Sequence, residues 1–85
     1  MKATVTLEVP SSKHLFYAQL KNFSHEGMCV ETSAAIRPGT EVNIKLDRPL
    51  FTSSQESYNS IIRWCKGLTD EDGAVYNFGL GVKFI

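Results

Sequence analysis

The sequence predicts an all-β domain, a six-stranded antiparallel barrel with little or no helix. Three observations carry this. Apolar residues recur with a period of two along most of the chain, the spacing that places them on one face of a strand. Six such runs are separated by short segments rich in Gly, Pro, Ser and Asp, residues that reverse a chain. No stretch of ten or more residues repeats its apolar positions at helical spacing. Six short strands leave unpaired edges unless the sheet closes on itself, so a barrel fits this pattern.

At 85 residues the chain fits one domain spanning residues 1–85. A chain of this size buries roughly 60–65% of the surface it exposes when unfolded. One small core then supplies stability of roughly 3–5 kcal/mol. A composition 42% hydrophobic and 21% charged is that of a folded domain rather than a disordered one.

The first strand is Thr4 to Val9, with Val5, Leu7 and Val9 on one face. Pro10-Ser11-Ser12-Lys13 breaks the run. The second strand, about Leu15 to Phe23, turns Phe16, Ala18 and Leu20 inward and Tyr17, Gln19 and Lys21 outward. Ser24-His25-Glu26-Gly27 reads as a turn, with Gly27 free to adopt positive φ. A short strand, Met28 to Thr32, follows. Arg37-Pro38-Gly39-Thr40 is the next turn, where proline presets one φ and glycine supplies the other. Glu41 to Leu46 alternates again, with Val42, Ile44 and Leu46 together. Residues 47–57 lack a clean period and read as a loop, with a one-turn helix near Ser53–Glu56 as a weak signal. Tyr58 to Lys66 is a strand centred on Ile62 and Trp64. Leu68 to Gly73 is a polar turn ending in Asp-Gly, a strong hairpin signal. The last strand aligns Tyr76, Phe78, Leu80, Val82 and Phe84 against Asn77, Gly79, Gly81 and Lys83. Glycines on the second face mark a bulge, a bend or a close approach.

Nine Lys and Arg balance nine Asp and Glu. Binding to DNA or RNA normally rests on a basic excess that displaces phosphate counterions, so neither is an expected partner. MKATVTLEVP alternates and has no continuous apolar core for a signal peptide. No apolar run approaches the ~18 residues of a membrane span. Together these point to a cytoplasmic protein. Cys29 and Cys65 are too few for a disulfide scaffold and form no CxxC. They read as small, half-buried apolar residues, with a disulfide or reactive thiol as the alternative.

Catalysis is not expected. A nucleophile needs a neighbouring base held by a third group, and the two histidines, His14 and His25, fall at strand ends or turns. No HxxxH or CxxC spacing suits a metal, and Asp70-Glu71-Asp72 reads as a solvated turn. The sequence therefore offers no catalytic residue, metal ligand or cofactor.

Lys21 to Met28 is the informative stretch. Asn22, Ser24 and Gly27 fill the pattern Asp/Asn-x-Ser-x-x-Gly at a strand-to-strand turn, and here the chain resembles the PilZ family. Met28-Cys29-Val30-Glu31-Thr32, Arg37-Pro38-Gly39-Thr40, Arg63-Trp64-Cys65-Lys66 and the closing Phe78-Gly79-Leu80-Gly81-Val82-Lys83-Phe84 resemble it too, in the right order. The likeness extends from about Phe16 to the end. It implies a six-stranded barrel and a bacterial receptor for cyclic di-GMP, with Asn22, Ser24 and Gly27 facing the ligand. The chemistry fits: an Asn amide matches both donors and acceptors of a guanine edge, and the Ser24 hydroxyl adds one more group. The same residues also suit an Asx or ST turn that caps its own backbone.

The family's second motif, Arg-x-x-x-Arg ahead of the first strand, is absent. Arg37, Arg48 and Arg63 are never four apart, and the start at Met1-Lys2 leaves no room upstream. A charge-assisted hydrogen bond contributes roughly 1.5–3 kcal/mol, so two missing arginines cost about 10²- to 10⁴-fold in affinity. Lys2, Lys13 or Lys21 can offer point charges but not the planar fork of Arg. Two readings follow. In one, the domain binds cyclic di-GMP weakly, a lysine or a partner supplying charge. In the other, it is a degenerate PilZ domain that acts as a protein–protein interaction adaptor. Both include a protein partner; Tyr17 and Phe51 are candidate docking aromatics, with partial burial under a loop as the alternative reading.

Overall fold

The computed structural model describes residues 3–46 and 57–85. Six strands, all antiparallel, run as β1 (Ala3–Val9), β2 (His14–Phe23), β3 (Gly27–Thr32), β4 (Glu41–Leu46), β5 (Ser57–Thr69) and β6 (Val75–Phe84). They close in the order β1-β2-β3-β6-β5-β4, with β1 pairing both β2 and β4. Closure leaves no strand at an open sheet edge over the paired length. The described residues contain no helix, so none crosses a membrane as an apolar helix. Of the loop expected at 47–57, Ser57 begins β5 instead, while residues 47–56, with the one-turn helix near Ser53–Glu56, Arg48 and Phe51, lie outside the described residues, as does Lys2.

The period-two pattern does what it predicts. Val5 and Leu7 from β1, Val30 from β3, Ile44 from β4, Ile62 from β5 and Leu80 from β6 are almost completely buried. Every strand but β2 supplies one of these. β2 contributes Ala18, with Phe16 and Leu20 packed against the same cluster. Burying each such side chain removes apolar surface worth about 1.5–3 kcal/mol from water. Thr32 is also buried, and its hydroxyl donates to the Tyr17 carbonyl at 2.9 Å. The buried polar group thereby keeps a partner.

Four details differ from the sequence expectation. β5 runs on to Thr69, so the β5–β6 reversal is confined to Asp70–Ala74. The Asp70 side chain explains this. Its carboxylate accepts from the N–H groups of Asp72 (2.9 Å) and Ala74 (3.0 Å). Gly73 takes φ 83° and donates to the Asp70 carbonyl. A turn closed this tightly lets both strands continue to its edge.

Tyr76 is exposed rather than inward. β3 stops pairing with β6 at Thr32↔Phe78, so the hairpin tip projects past the barrel. Trp64 is exposed as well, although it shares the parity of Ile62. The register steps from Ile62↔Val82 to Trp64↔Gly81, making Arg63 the extra residue of a β-bulge. The bulge turns Trp64 outward and gives Cys65 the place against the core.

Gly27, finally, does not need positive φ; it is the first residue of β3. Its value is the missing side chain. A Cβ there would run into the Val82 carbonyl of the neighbouring strand.

A candidate ligand groove beside the β2–β3 turn

Asn22 and Phe23 end β2, Ser24 to Glu26 reverse the chain, and Gly27 starts β3. This turn forms one wall of an open groove of about 500 Å³. The floor is the outer face of β3 and β6, and the far wall comes from the β5 bulge. The three residues predicted from sequence, Asn22, Ser24 and Gly27, all line it. So do Cys29, Arg63, Trp64 and Lys83.

The Asn22 side chain is exposed and has no hydrogen-bond partner among the described residues. Its amide is free for a ligand. Ser24 is partly committed. Its Oγ accepts the Glu26 N–H at 3.3 Å and lies 3.4 Å from the Gly27 carbonyl, which takes the Ser24 N–H at 2.9 Å. This is an ST turn, the local alternative raised by the sequence. Both side-chain contacts are long, so the hydroxyl can still add an outward bond.

The groove has its own cations among the described residues, and neither Lys13 nor Lys21 is one of them. Lys21 Nζ sits 3.6 Å from Glu31, whose other oxygen accepts from Asn77 Nδ2 at 2.8 Å. Lys13 lies at the opposite end of β2, about ten residues of ~3.3 Å rise away. Arg63 and Lys83 instead reach the groove from β5 and β6. Neither forms an ion pair among the described residues. Glu26 is the acidic group at the rim, with His25 Nε2 3.8 Å from it.

Sequence reasoning placed the Arg63–Lys66 stretch in the family pattern but gave Arg63, Trp64 and Lys83 no role. A signal for Trp64 was present. Gly79 and Gly81 face outward two residues apart, and a Cβ on Gly81 would collide with the Trp64 indole. A Cβ added to Gly79 would meet the same ring at ordinary contact distance, 3.5 Å from Trp64 Cζ3. The bulge that brings Trp64 over them cannot be read from the one-dimensional pattern.

Cys29 and Cys65 are both free thiols. Cys29 faces the groove and Cys65 the core, on opposite sides of the sheet. Burial pushes the Cys29 thiol up, and the Lys21 ammonium offsets part of that rise. The folded chain therefore holds this proton more tightly than the unfolded chain. The associated stability is complete below the ordinary thiol range and is lost as pH rises through the raised value. Denaturation midpoints should accordingly fall faster above about pH 8.5 in the wild type than in Cys29→Ser. Parallel curves for the two proteins would show that the thiol is not linked to folding.

No curated relative and no solved structure matches the chain. A family model described as PilZ domain matches residues 1–85. With the whole length matched and the strands closed into a six-stranded antiparallel barrel, the chain belongs to the PilZ domain family, whose members are generally signalling domains that bind cyclic di-GMP.

Proposed function

We propose that this domain recognises cyclic di-GMP in the groove beside the β2–β3 turn, with weak intrinsic affinity, and that the bound ligand changes how the barrel docks onto a protein partner. One observation carries the reading: the amide of Asn22 is exposed and unpartnered at the wall of a groove it shares with Ser24 and Gly27. A side-chain amide free on both its donor and acceptor sides can pair with a guanine edge. The weakness follows from the arginines, since Arg37, Arg48 and Arg63 form no Arg-x-x-x-Arg.

Titrating cyclic di-GMP while recording amide NMR shifts tests this. Saturable shifts at Asn22 to Gly27 are expected, with a dissociation constant between about 10 µM and 1 mM, equivalent to roughly 4–7 kcal/mol. Asn22→Ala should abolish them. Full affinity in that variant would place the pocket elsewhere, and a silent spectrum at a millimolar would leave the adaptor reading. That second reading is favoured by Leu15 and Tyr17, which project from the outer face of β2 at 61% and 76% exposure, an apolar pair suited to protein contact.

A further inference from the structure

The β5–β6 hairpin outruns its neighbours on both sides. β4 pairs β5 only as far as Glu41↔Ile61. The turn before β4 adds two last bonds, Gly39 N–H to the Ile62 carbonyl at 2.8 Å and Ile62 N–H to the Thr40 carbonyl at 2.9 Å. β5 then continues from Arg63 to Thr69, paired to β6 on one side alone among the described residues. The end of the strand fixes where its other backbone groups point. Asp70 donates its N–H across the hairpin to the Ala74 carbonyl, and successive strand residues alternate the edge to which N–H and C=O are directed. Thr69, Gly67 and Cys65 therefore turn these groups away from β6, toward the side that β4 has left. No hydrogen bond within the described residues meets them there. An open edge is a template for another strand, and past the Arg63 bulge this one holds no proline and one charge, Lys66. The ribbon is also poorly supported. Two strands by themselves are marginal in water, and this pair carries Val75 and Tyr76 exposed near its tip. Charge is sorted along it: Glu71 and Asp72 lie at the tip, Arg63 at the root, and Arg37 in the turn that caps the edge. All four are exposed and form no ion pair among the described residues.

We propose that the open edge of β5 from Cys65 to Thr69 is a self-association surface, on which a second copy of this chain adds its own β5 antiparallel about a twofold axis at Gly67. That axis sets Gly67 opposite Gly67, Cys65 opposite Thr69 and Lys66 opposite Leu68. Every outward N–H and C=O of both copies then gains a partner, and no like charges face each other. Moving the axis one or two residues either way leaves at least one of the three outward residues against the bulge, the turn or β4. The same axis carries the Glu71–Asp72 turn of each copy alongside Arg63 of the other and toward its Arg37. Acid at one end of the edge and base at the other is the pattern that an antiparallel second copy matches by symmetry, which an unrelated strand does not. An isologous contact of this kind closes with two copies, so it gives a dimer and not a fibre. The proposal is independent of the nucleotide reading.

Sedimentation velocity of the whole chain with reductant present, from about 1 to 500 µM, tests it. A reversible monomer–dimer equilibrium is expected, with a dissociation constant of about 1–100 µM, the range of a small interface. Amide hydrogen exchange locates the contact. Protection of Cys65, Gly67 and Thr69 should rise about fivefold or more between the dilute and the concentrated protein, and that of Lys66 and Leu68, already bonded to β6, by less. Thr69→Pro removes an outward N–H without taking one from the β5–β6 ladder, and should leave the chain monomeric over the whole range. Glu71→Lys changes only an exposed turn side chain, so it keeps the test decisive should the proline unfold the hairpin. It should weaken the dimer about tenfold, and adding Arg63→Glu should restore it to within about threefold of wild type. A chain that stays monomeric at about 500 µM overturns the proposal. So does a dimer that Thr69→Pro and Glu71→Lys both leave within about twofold of wild type, since its contact then lies elsewhere on the barrel.

Discussion

Gly27→Ala is expected to cost about 2–4 kcal/mol and to lower the melting temperature by about 10–25 °C. The added Cβ meets the Val82 carbonyl oxygen, with the Val82 carbon at 3.1 Å and Lys83 Cα at 3.2 Å just behind it. All three are backbone atoms of β6, so no rotamer change relieves the clash. Relief requires β3 and β6 to separate at Gly27↔Lys83 and Met28↔Val82, the last pairs of the ladder. Glu26 also accepts the Phe84 N–H at 2.9 Å here, and that bond goes with the seam. A small core of roughly 3–5 kcal/mol leaves little reserve. Thermal unfolding followed by circular dichroism checks the outcome. A variant melting within about 3 °C of wild type would mean that β6 retreats without cost, which the close packing of strands forbids.

This gives the motif glycine a structural reason that holds with or without ligand. Its two roles are separable, because Asn22→Ala removes a ligand-facing amide from an exposed position and should leave the melting temperature unchanged within ~2 °C. Gly27→Ala should lower both stability and binding.

The fold was legible in the residues because a barrel of short antiparallel strands is written in strict alternation. Val5, Leu7, Val30, Ile44 and Leu80 sit inside where the period puts them. The alternation misleads where the strand slips or outruns its neighbour. Trp64 is two residues from Ile62 and yet on the other face, because Arg63 is unpaired between them. Tyr76 has the parity of Phe78 and Leu80, but β3 no longer lies beside it and the step from Leu68↔Asn77 to Thr69↔Val75 leaves it unpaired. The turn half of the site was legible because Asn22, Ser24 and Gly27 fall within one six-residue stretch of the chain. The cationic half was not, since Arg63 and Lys83 are brought together by pairing across β5 and β6 and by a bulge that no local pattern announces.

Leu80→Ala is the other substitution with a large expected effect, and its mechanism is the reverse of the Gly27 clash. Leu80 is fully buried at the middle of β6, paired with Val30 on one side and Cys65 on the other. Truncation removes buried methyl groups and leaves a cavity that a closed sheet cannot collapse to fill, because moving one wall strains both neighbouring ladders. The cost is about 2–5 kcal/mol, comparable to the whole stability of a domain this small, so the variant should be largely unfolded at 37 °C. Urea titration checks it: the midpoint falls to near zero while Leu80→Met, which nearly conserves volume, loses less than about 1.5 kcal/mol. The two large effects then separate by rescue. A flexible side chain can refill the Leu80 site, whereas at Gly27 every residue other than glycine places an atom where the Val82 carbonyl already stands. Should Leu80→Ala unfold no more easily than Leu80→Met, the barrel interior would be loosely packed and the burial of Leu80 would not be what holds β3, β6 and β5 together.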